Sequence, residues 1–269
     1  MADSWKLFTP PWHPSVDNIT LYKKLLDRTI KGVENPKVLI LGATPEIRDM
    51  LADYKNIEVV LADITMEMIL AMNELVKKEN FSNEIWVKSD WLKMPLEKDY
   101  FDAIIGDYVI SQFPKELTNN FLSKIKSLLK PNGRFIHRTI FFNEDTAMDF
   151  DAIIKKFEGT EESHQSVTDV ASYCFVGKTT TFRNGNYSTF SLPLLKKVRQ
   201  DYEKKNGKNR WLVALDKVFV PYEKEWFYYS LPETENILER YFVIEEKSNE
   251  SDSGSLQDAT FIYSLRNSN

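Results

Sequence analysis

Three residues that could hold a nucleoside stand at equivalent places in the sequence, each directly after a short apolar run. Gly42 follows the first run, Asp63 the second and Asp90 the third. In open α/β sheets, ligands bind beyond the carboxyl ends of the strands, where a glycine lets the backbone approach closely. A carboxylate about twenty residues after that glycine can accept both ribose hydroxyls. The spacing therefore predicts a nucleoside site, with Asp90 accepting from an exocyclic amine.

The neighbours of these residues supply the remaining surface that a nucleoside needs. Trp91 and Met68 offer flat or polarisable apolar surface for a purine. An acidic residue at a strand end is also commonly a helix cap or a solvated loop charge, so the repetition after successive strands carries the prediction. The complete set of expected cofactor-binding residues is Gly42, Ala43, Thr44, Asp63, Ile64, Met68, Asp90, Trp91 and Asp107.

The elements that must position these side chains alternate between strands and helices. The predicted strands cover residues 37–41, 57–62, 85–88, 101–105 and 134–142. Continuous apolar runs such as KVLIL are typical of strands buried on both faces. Residues at helical spacing separate them, including a helix over 114–130 that ends at Pro131-Asn132-Gly133. This alternation predicts a parallel, doubly wound sheet with right-handed crossovers.

The pattern changes after the fifth strand, where residues 143–225 are mixed. The sequence favours helices over 145–157 and 191–205, a polar stretch over 158–170, and two β-like runs at 173–177 and 179–183. Strands return at 241–246 and 260–265, and with no helix between them they can pair antiparallel. We therefore predict an arm and helix over 1–34, a core of 35–142 and 226–269, and a substrate-covering insertion of 143–225.

Composition excludes several classes of function. The formal net charge is −5 and the basic residues are scattered among acids, so a nucleic-acid partner is not expected. The short basic run over 204–210 is interpreted as a solvated loop. One cysteine and three histidines without ligand spacing exclude a disulfide and a metal cluster. No segment approaches the ~18 apolar residues of a membrane span, and no signal core is visible, so a cytoplasmic protein is expected.

Four segments together resemble the class I S-adenosylmethionine (SAM)-dependent methyltransferases. They are "VLILGATPE", "VVLADITMEMI", "VKSDWLKMPLEKDYFDAIIGD" and "LLKPNGRFIHR". The resemblance covers roughly residues 35–142, and the last strand pair is similar to the family's final two strands. "PPWHPS" together with "LGATPE" looks like a subgroup with a Pro-rich arm and an atypical first motif. The resemblance implies a Rossmann-like, mostly parallel seven-stranded sheet with an insertion after strand five, and SAM as cofactor.

The first motif departs from the family's glycine-rich pattern. Only Gly42 remains, Thr44 and Glu46 stand at the other glycine positions, and Ile40 replaces the usual acidic residue. The family's contacts with the methionine end of SAM therefore cannot be assigned directly to these residues. Thr44 could still donate hydrogen bonds through its amide and hydroxyl. Neither a dinucleotide fingerprint nor a P-loop is present, so a nicotinamide dehydrogenase and an NTPase are not favoured.

The acceptor side is less well defined by the sequence. His137 lies in the fifth strand and could be a general base, or a core histidine. In the arm, residues 1–14, Trp12 and His13 could contact SAM or the acceptor, or simply pack against the domain. Tyr108 follows strand four beside Asp107. Tyr173 is the candidate among the aromatic residues of the insertion. These residues could line an apolar pocket or form the insertion's own core.

The leading hypothesis is a SAM-dependent methyltransferase that transfers methyl in line to a small organic molecule. A protein or peptide methyltransferase is one alternative, and a wide acidic groove in the insertion would favour it. The other is a non-catalytic protein with the SAM-binding fold, which the altered first motif permits. Burial of Asp63 by a neighbouring side chain would support that reading.

Overall fold

A seven-stranded sheet forms the centre of the molecule, in the order β3-β2-β1-β4-β5-β10-β9. The computed structural model describes residue 5 and residues 8–78, 84–219, 224–249 and 259–267. The strands of this sheet are β1 Lys37–Leu41, β2 Glu58–Asp63, β3 Glu84–Lys88, β4 Phe101–Asp107, β5 Leu129–Ile140, β9 Phe242–Ser248 and β10 Thr260–Asn267. Strands β1 to β5 pair in parallel, and β10 is antiparallel to both neighbours. The predicted Rossmann-like fold is confirmed.

Helices on both faces of this sheet connect its parallel strands. They are α1 Val16–Thr29, α2 Pro45–Leu51, α3 Met66–Asn73 and α4 Lys115–Leu128. Helix α1 begins at a capping box in which Ser15 and Asn18 satisfy each other's backbone amides. Pro45 begins α2, where its missing amide hydrogen costs no helix bond. The order puts the loops after β1, β2 and β4 at one edge of the sheet.

Strand β5 begins five residues earlier than predicted, at Leu129. The sequence interpreted Pro131-Asn132-Gly133 as a turn that only precedes the strand. The chain instead already pairs with β4 at Leu129, and a register shift in the pairing absorbs the irregular residues. A Cβ at Gly133 would lie 3.0 Å from the carbonyl oxygen of Phe101, so this close backbone approach requires glycine.

The insertion has its own three-stranded sheet, β6-β7-β8, and four helices. Its elements are α5 Phe150–Lys156, α6 His164–Phe175, β6 Thr181–Asn184, β7 Tyr187–Ser191, α7 Leu192–Asn206, α8 Arg210–Val218 and β8 Glu225–Tyr229, and α9 Leu231–Glu239 follows. The structure confirms the predicted helix over 191–205. Because β8 pairs with β7, residues 226–229, which the sequence assigned to the core domain, belong to this small sheet.

The β-like run predicted over 173–177 is wrong, because residues 173–175 belong to helix α6, which begins within the polar stretch over 158–170. Ser163 caps that helix through a capping box with Ser166. Val170, Ala171 and Cys174 are fully buried and lie on one helix face. Helices α8 and α9 were not predicted either. In α8, Trp211 is 1% exposed and faces the insertion's core.

Three apolar clusters stabilise the molecule, one on each face of the large sheet and one within the insertion. Phe8 and Trp12 of the arm pack against the cluster within the insertion. In the described ranges, no helix is long and apolar enough to cross a membrane.

Candidate functional site

Gly42 turns the chain between β1 and α2 with φ = +92°, in the left-handed region that favours glycine. Its amide donates to the carbonyl of Ala62 at the end of β2, at 2.8 Å. The indole Nε1 of Trp91 donates to the same carbonyl oxygen at 2.6 Å. The Trp91 ring lies 3.8 Å from the position that a Cβ on Gly42 would occupy. The structure thus brings together Gly42 and Trp91, as the sequence predicted.

Asp63 ends β2 and is 9% exposed. Its Oδ1 accepts a hydrogen bond from the backbone amide of Thr65 at 3.0 Å. Burial raises the pKa of the Asp63 carboxyl, while the amides of Thr65 and Ile64 and the charge of Lys224 lower it. Ile64 itself is 65% exposed. The carboxylate is therefore held at the strand end by its own loop.

Asp90 follows β3 and has a local hydrogen bond. Its Oδ1 accepts from the amide of Leu92 at 3.0 Å, as in an Asx turn. The carboxylate is half-buried beside Trp91. The structure therefore places Asp90 on the predicted edge, with one carboxylate oxygen used in the turn.

Asp107 at the end of β4 forms a two-pronged ion pair with Arg138 of β5, at 2.7 and 3.0 Å. The arginine side chain is buried and also donates to Asn18 Oδ1 at 2.7 Å. The hydroxyl of Tyr22 accepts from the amide of Arg138 and donates to the carbonyl of Gly106. This network fixes the ends of β4 and β5 and neutralises the charge of Asp107.

A cavity of about 250 Å³ lies beyond this edge, between the sheet, the arm and the insertion. Of the expected cofactor residues, Thr44, Met68 and Asp107 line it, and Trp12 and Tyr108 line it on the acceptor side. The expected residues Gly42, Ala43, Asp63, Ile64, Asp90 and Trp91 lie along the same strand edge outside the described lining.

The arm closes one side of this cavity. The indole of Trp12 donates to Ser172 Oγ of α6 at 2.7 Å. Its ring packs edge-on against Phe175 and Phe219, with centroid distances of 5.2 and 5.7 Å. Tyr108, at φ = +53°, donates from its hydroxyl to the carbonyl of Pro11 at 3.1 Å. The arm is therefore tied to both the insertion and the β4 loop.

His13 joins the arm to the first turn of α2. Its Nδ1 lies 3.4 Å from Oε1 of Glu46, and its Nε2 lies 3.1 Å from the carbonyl oxygen of Phe8. The other carboxylate oxygen of Glu46 is buried and has no hydrogen-bond partner in the described chain. Burial raises the pKa of Glu46, while a hydrogen bond from its own backbone amide and, to a smaller extent, the neighbouring imidazole lower it. This carboxylate can accept another donor.

His137 and Tyr173 are not brought into the cavity. His137 is fully buried between Phe135 and Tyr263, with ring centroids 4.4 and 5.8 Å away, and burial lowers its pKa to about 3. This position corrects the expectation of a general base there. Tyr173 packs against Phe157 in the insertion's core, because in helix α6 it points away from its pocket-lining neighbour Phe175.

Sequence reasoning missed several residues of the cavity wall, namely Ser111, Gln112, Leu192, Val218, Phe219, Lys224 and Trp226. The Nζ of Lys224 lies 5.0 Å from the centroid of the Trp226 ring. Of these missed residues, Trp226 stands in a run of four aromatic residues, 226–229, which is a local signal in the sequence. Lys224 stands in a charged segment without a recognisable pattern, so its place was visible only after folding.

Comparisons with known proteins agree with this geometry. A family profile described as a methyltransferase domain matches residues 43–211, more than half of the chain. A search of curated proteins found no match to this sequence.

Solved structures resemble the chain over nearly its whole length. One is the Burkholderia thailandensis 1,6-didemethyltoxoflavin-N1-methyltransferase, with 11% identity, a TM-score of 0.54, and coverage of 97% of this chain and 82% of that one. The N-methyltransferase NodS of Bradyrhizobium japonicum WM9 has 10% identity and a TM-score of 0.50, with 94% and 88% covered. A Rhodobacter sphaeroides protein described as a zinc-dependent alcohol dehydrogenase has 15% identity and a TM-score of 0.58, with 99% and 98% covered. At such identities the likeness shows the fold alone. Across the residues described here, no group of side chains could hold a metal ion.

Proposed function

The chain belongs to the methyltransferase-domain family and is a SAM-dependent methyltransferase, and from that premise we propose that it methylates a small organic molecule by direct in-line transfer. The single observation that carries the proposal is the cavity of about 250 Å³, which joins Thr44 and Asp107 at the strand edge to aromatic side chains of the arm and insertion. A cavity of this size, mostly apolar and with a few polar groups, is suited to a small molecule.

The residues at the strand edge fit the cofactor. The positive φ of Gly42 makes the tight turn at which a ligand can approach the backbone, beside the Trp91 ring that packs against the same residue. Asp63 would accept the ribose hydroxyls, and Trp91 would contact the adenine. The unpartnered oxygen of Glu46 would accept from the α-ammonium of the methionyl part, in place of the acid that Ile40 replaces. Two neighbours in the fold, NodS and the toxoflavin methyltransferase, contain S-adenosylhomocysteine (SAH), the latter together with 1,6-didemethyltoxoflavin.

When bound, SAM supplies a methyl group whose bond to sulfur breaks as the acceptor's lone pair bonds to carbon, leaving a neutral thioether. The chain's own residues hold the acceptor and exclude water. Trp12 and Phe175 line the cavity on the side away from the sheet. Such an enclosure holds the acceptor atom in line with the methyl group and keeps water out. A base is needed only for an acceptor that must lose a proton, and the buried ring of His137 has no contact with the cavity.

Burial of Asp63 by a neighbouring side chain would favour the non-catalytic alternative, and Asp63 is 9% exposed. However, its hydrogen bonds come from the backbone of its own loop, and the side chain that acts on it electrostatically is Lys224, at the cavity wall. Burial by the loop is compatible with a site that opens toward a ligand. A protein or peptide acceptor is less well supported, since the cavity is walled by the arm.

The test uses SAM labelled with tritium in the methyl group. We expect the protein to label compounds in a pooled library of small organic molecules, and to leave peptide pools unlabelled. Label only in the peptides would favour the protein-modifying alternative. If SAM binds but no label is transferred to either pool, the proposed acceptor class is contradicted.

A further inference from the structure

The electrostatics of the cavity wall are set by two charged side chains among the described lining residues, Asp107 and Lys224. Arg138 pairs with Asp107 through two hydrogen bonds and so neutralises it. Lys224 forms no salt bridge with the described residues, although Asp63 attracts it at longer range. Among the described lining residues, the ammonium of Lys224 is therefore the charge without an ion-pair partner, and Asp63 acts on it only at longer range.

One flat apolar side chain lies beside that ammonium, and Lys224 as a residue is exposed to solvent. Its Nζ lies 5.0 Å from the centroid of Trp226, whose ring packs edge-on against Phe175 at 5.6 Å. Phe175 in turn contacts Trp12 of the arm. These rings come from three separate segments and present apolar surface to the same cavity.

An ammonium beside apolar rings loses part of its hydration. This loss lowers the pKa of Lys224, against the opposing effect of Asp63. An anion placed in the cavity would restore the lost interaction, and charge-assisted hydrogen bonds are stronger than neutral ones. A cation in the same place would be repelled.

We infer that the methyl acceptor is a flat, apolar molecule that carries an anionic group, and that Lys224 binds this group while the aromatic wall holds the ring. The inference rests on the proposed function and narrows its acceptor class. The carboxylate of Glu46 does not argue for a cationic acceptor, because it faces His13 at the first turn of α2.

Three probes with one ring system and different charges test this inference. They are 2-naphthoate, 2-naphthamide and 2-naphthylmethylammonium, titrated calorimetrically into the protein with and without saturating SAH. We expect 2-naphthoate to bind at least about tenfold more tightly than the amide, the scale of a charge-assisted hydrogen bond, and the ammonium to bind most weakly.

Three variants test whether the preference for the anionic probe depends on the Lys224 side chain. Lys224→Met should remove the preference for the anion, and Lys224→Arg should retain it. Lys196→Met, an exposed position on α7, should leave it unchanged. Thermal unfolding of each variant checks that the fold is intact.

Equal binding of naphthoate and naphthamide, tightest binding of the cation, or failure of all three probes to bind would overturn the inference. So would an anion preference that persists in Lys224→Met. The failure of the proposed function is seen separately, because it appears as binding of SAM without label transfer to any pooled small molecule, whatever the order of affinities of the three probes.

Discussion

The imidazole Nδ1 of His13 lies 3.4 Å from Oε1 of Glu46, so the N-terminal arm is joined to the helix that begins beside the cofactor edge. The residue that replaces a family glycine is therefore a structural partner of the arm. Its second carboxylate oxygen has no hydrogen-bond partner in the described chain. If Glu46 binds the methionyl end of SAM as proposed, the position of the arm affects the charge available there.

Glu46→Gln should weaken the binding of both SAM and SAH by about tenfold, because the amide lacks the charge that attracts the α-ammonium. Calorimetric titration measures both affinities. Glu116→Gln, at an exposed place in the first turn of α4, is the matched control and should change neither. An unchanged affinity in Glu46→Gln would remove this residue from the cofactor site.

Arg138→Met should lower the free energy of unfolding by about 3–5 kcal/mol, because it leaves Asp107 buried without its partner. Arg134, on the same strand, pairs with Glu245 at a more exposed site. Arg134→Met should therefore cost no more than about 1 kcal/mol. Urea unfolding measures the free energy of unfolding of both variants. Equal decreases would show that the buried network stabilises the fold no more than the exposed ion pair does.

His137→Phe should leave SAH affinity unchanged, because the ring lies in an apolar stack away from the cavity. Burial holds the pKa of His137 at about 3, below its ordinary value of 6.5. The neutral form therefore stabilises the fold fully above pH 6.5, and this stability is lost as the pH falls toward 3.

The substitution should accordingly flatten the decline in unfolding free energy over that pH range, as measured by urea unfolding at pH 7.5 and 5. Tyr263→Phe, which keeps the stack and His137, should retain the wild-type slope. Loss of SAH binding in His137→Phe, in a folded protein, would contradict the position assigned to this residue.

Cys174 should not react with Ellman's reagent in the native protein. The thiol is fully buried in α6, and burial raises its pKa, so the reactive thiolate is scarce. In guanidinium chloride the same thiol should react at once. Rapid reaction under native conditions would show that α6 opens easily from the insertion's core.

The sequence predicted the elements that local patterns encode. Apolar runs identified the parallel strands, and Gly42, Asp63 and Trp91 lie at the carboxyl edge of the sheet where the sequence placed them; their contacts with the cofactor stay a prediction. Helix α6 was missed because its start lies in the polar stretch over 158–170. Ser163 is a favoured N-cap residue, but Ser166 stands where the capping-box motif has Glu or Gln, so the local signal was weak.

The contacts that close the cavity join residues far apart in the chain, and no local period encodes them. The hydrogen bond from Trp12 to Ser172 joins residues 160 positions apart in the sequence, and the ion pair of Asp107 with Arg138 joins residues 31 positions apart. The buried position of His137 likewise depends on Tyr263, which arrives only with the last strand. The carboxyl edge of the sheet was therefore predictable from the sequence, whereas the lining of the cavity required the folded chain.

Calorimetric titration of the wild-type protein with SAM and SAH, beside Asp63→Ala, tests the central claim most directly. We predict micromolar binding of both ligands, weakened more than about tenfold in Asp63→Ala because charge-assisted hydrogen bonds to the ribose are lost. The exposed control Asp201→Ala should bind as the wild type does. Absence of binding by the wild-type protein would contradict the account and make the non-catalytic reading the leading one.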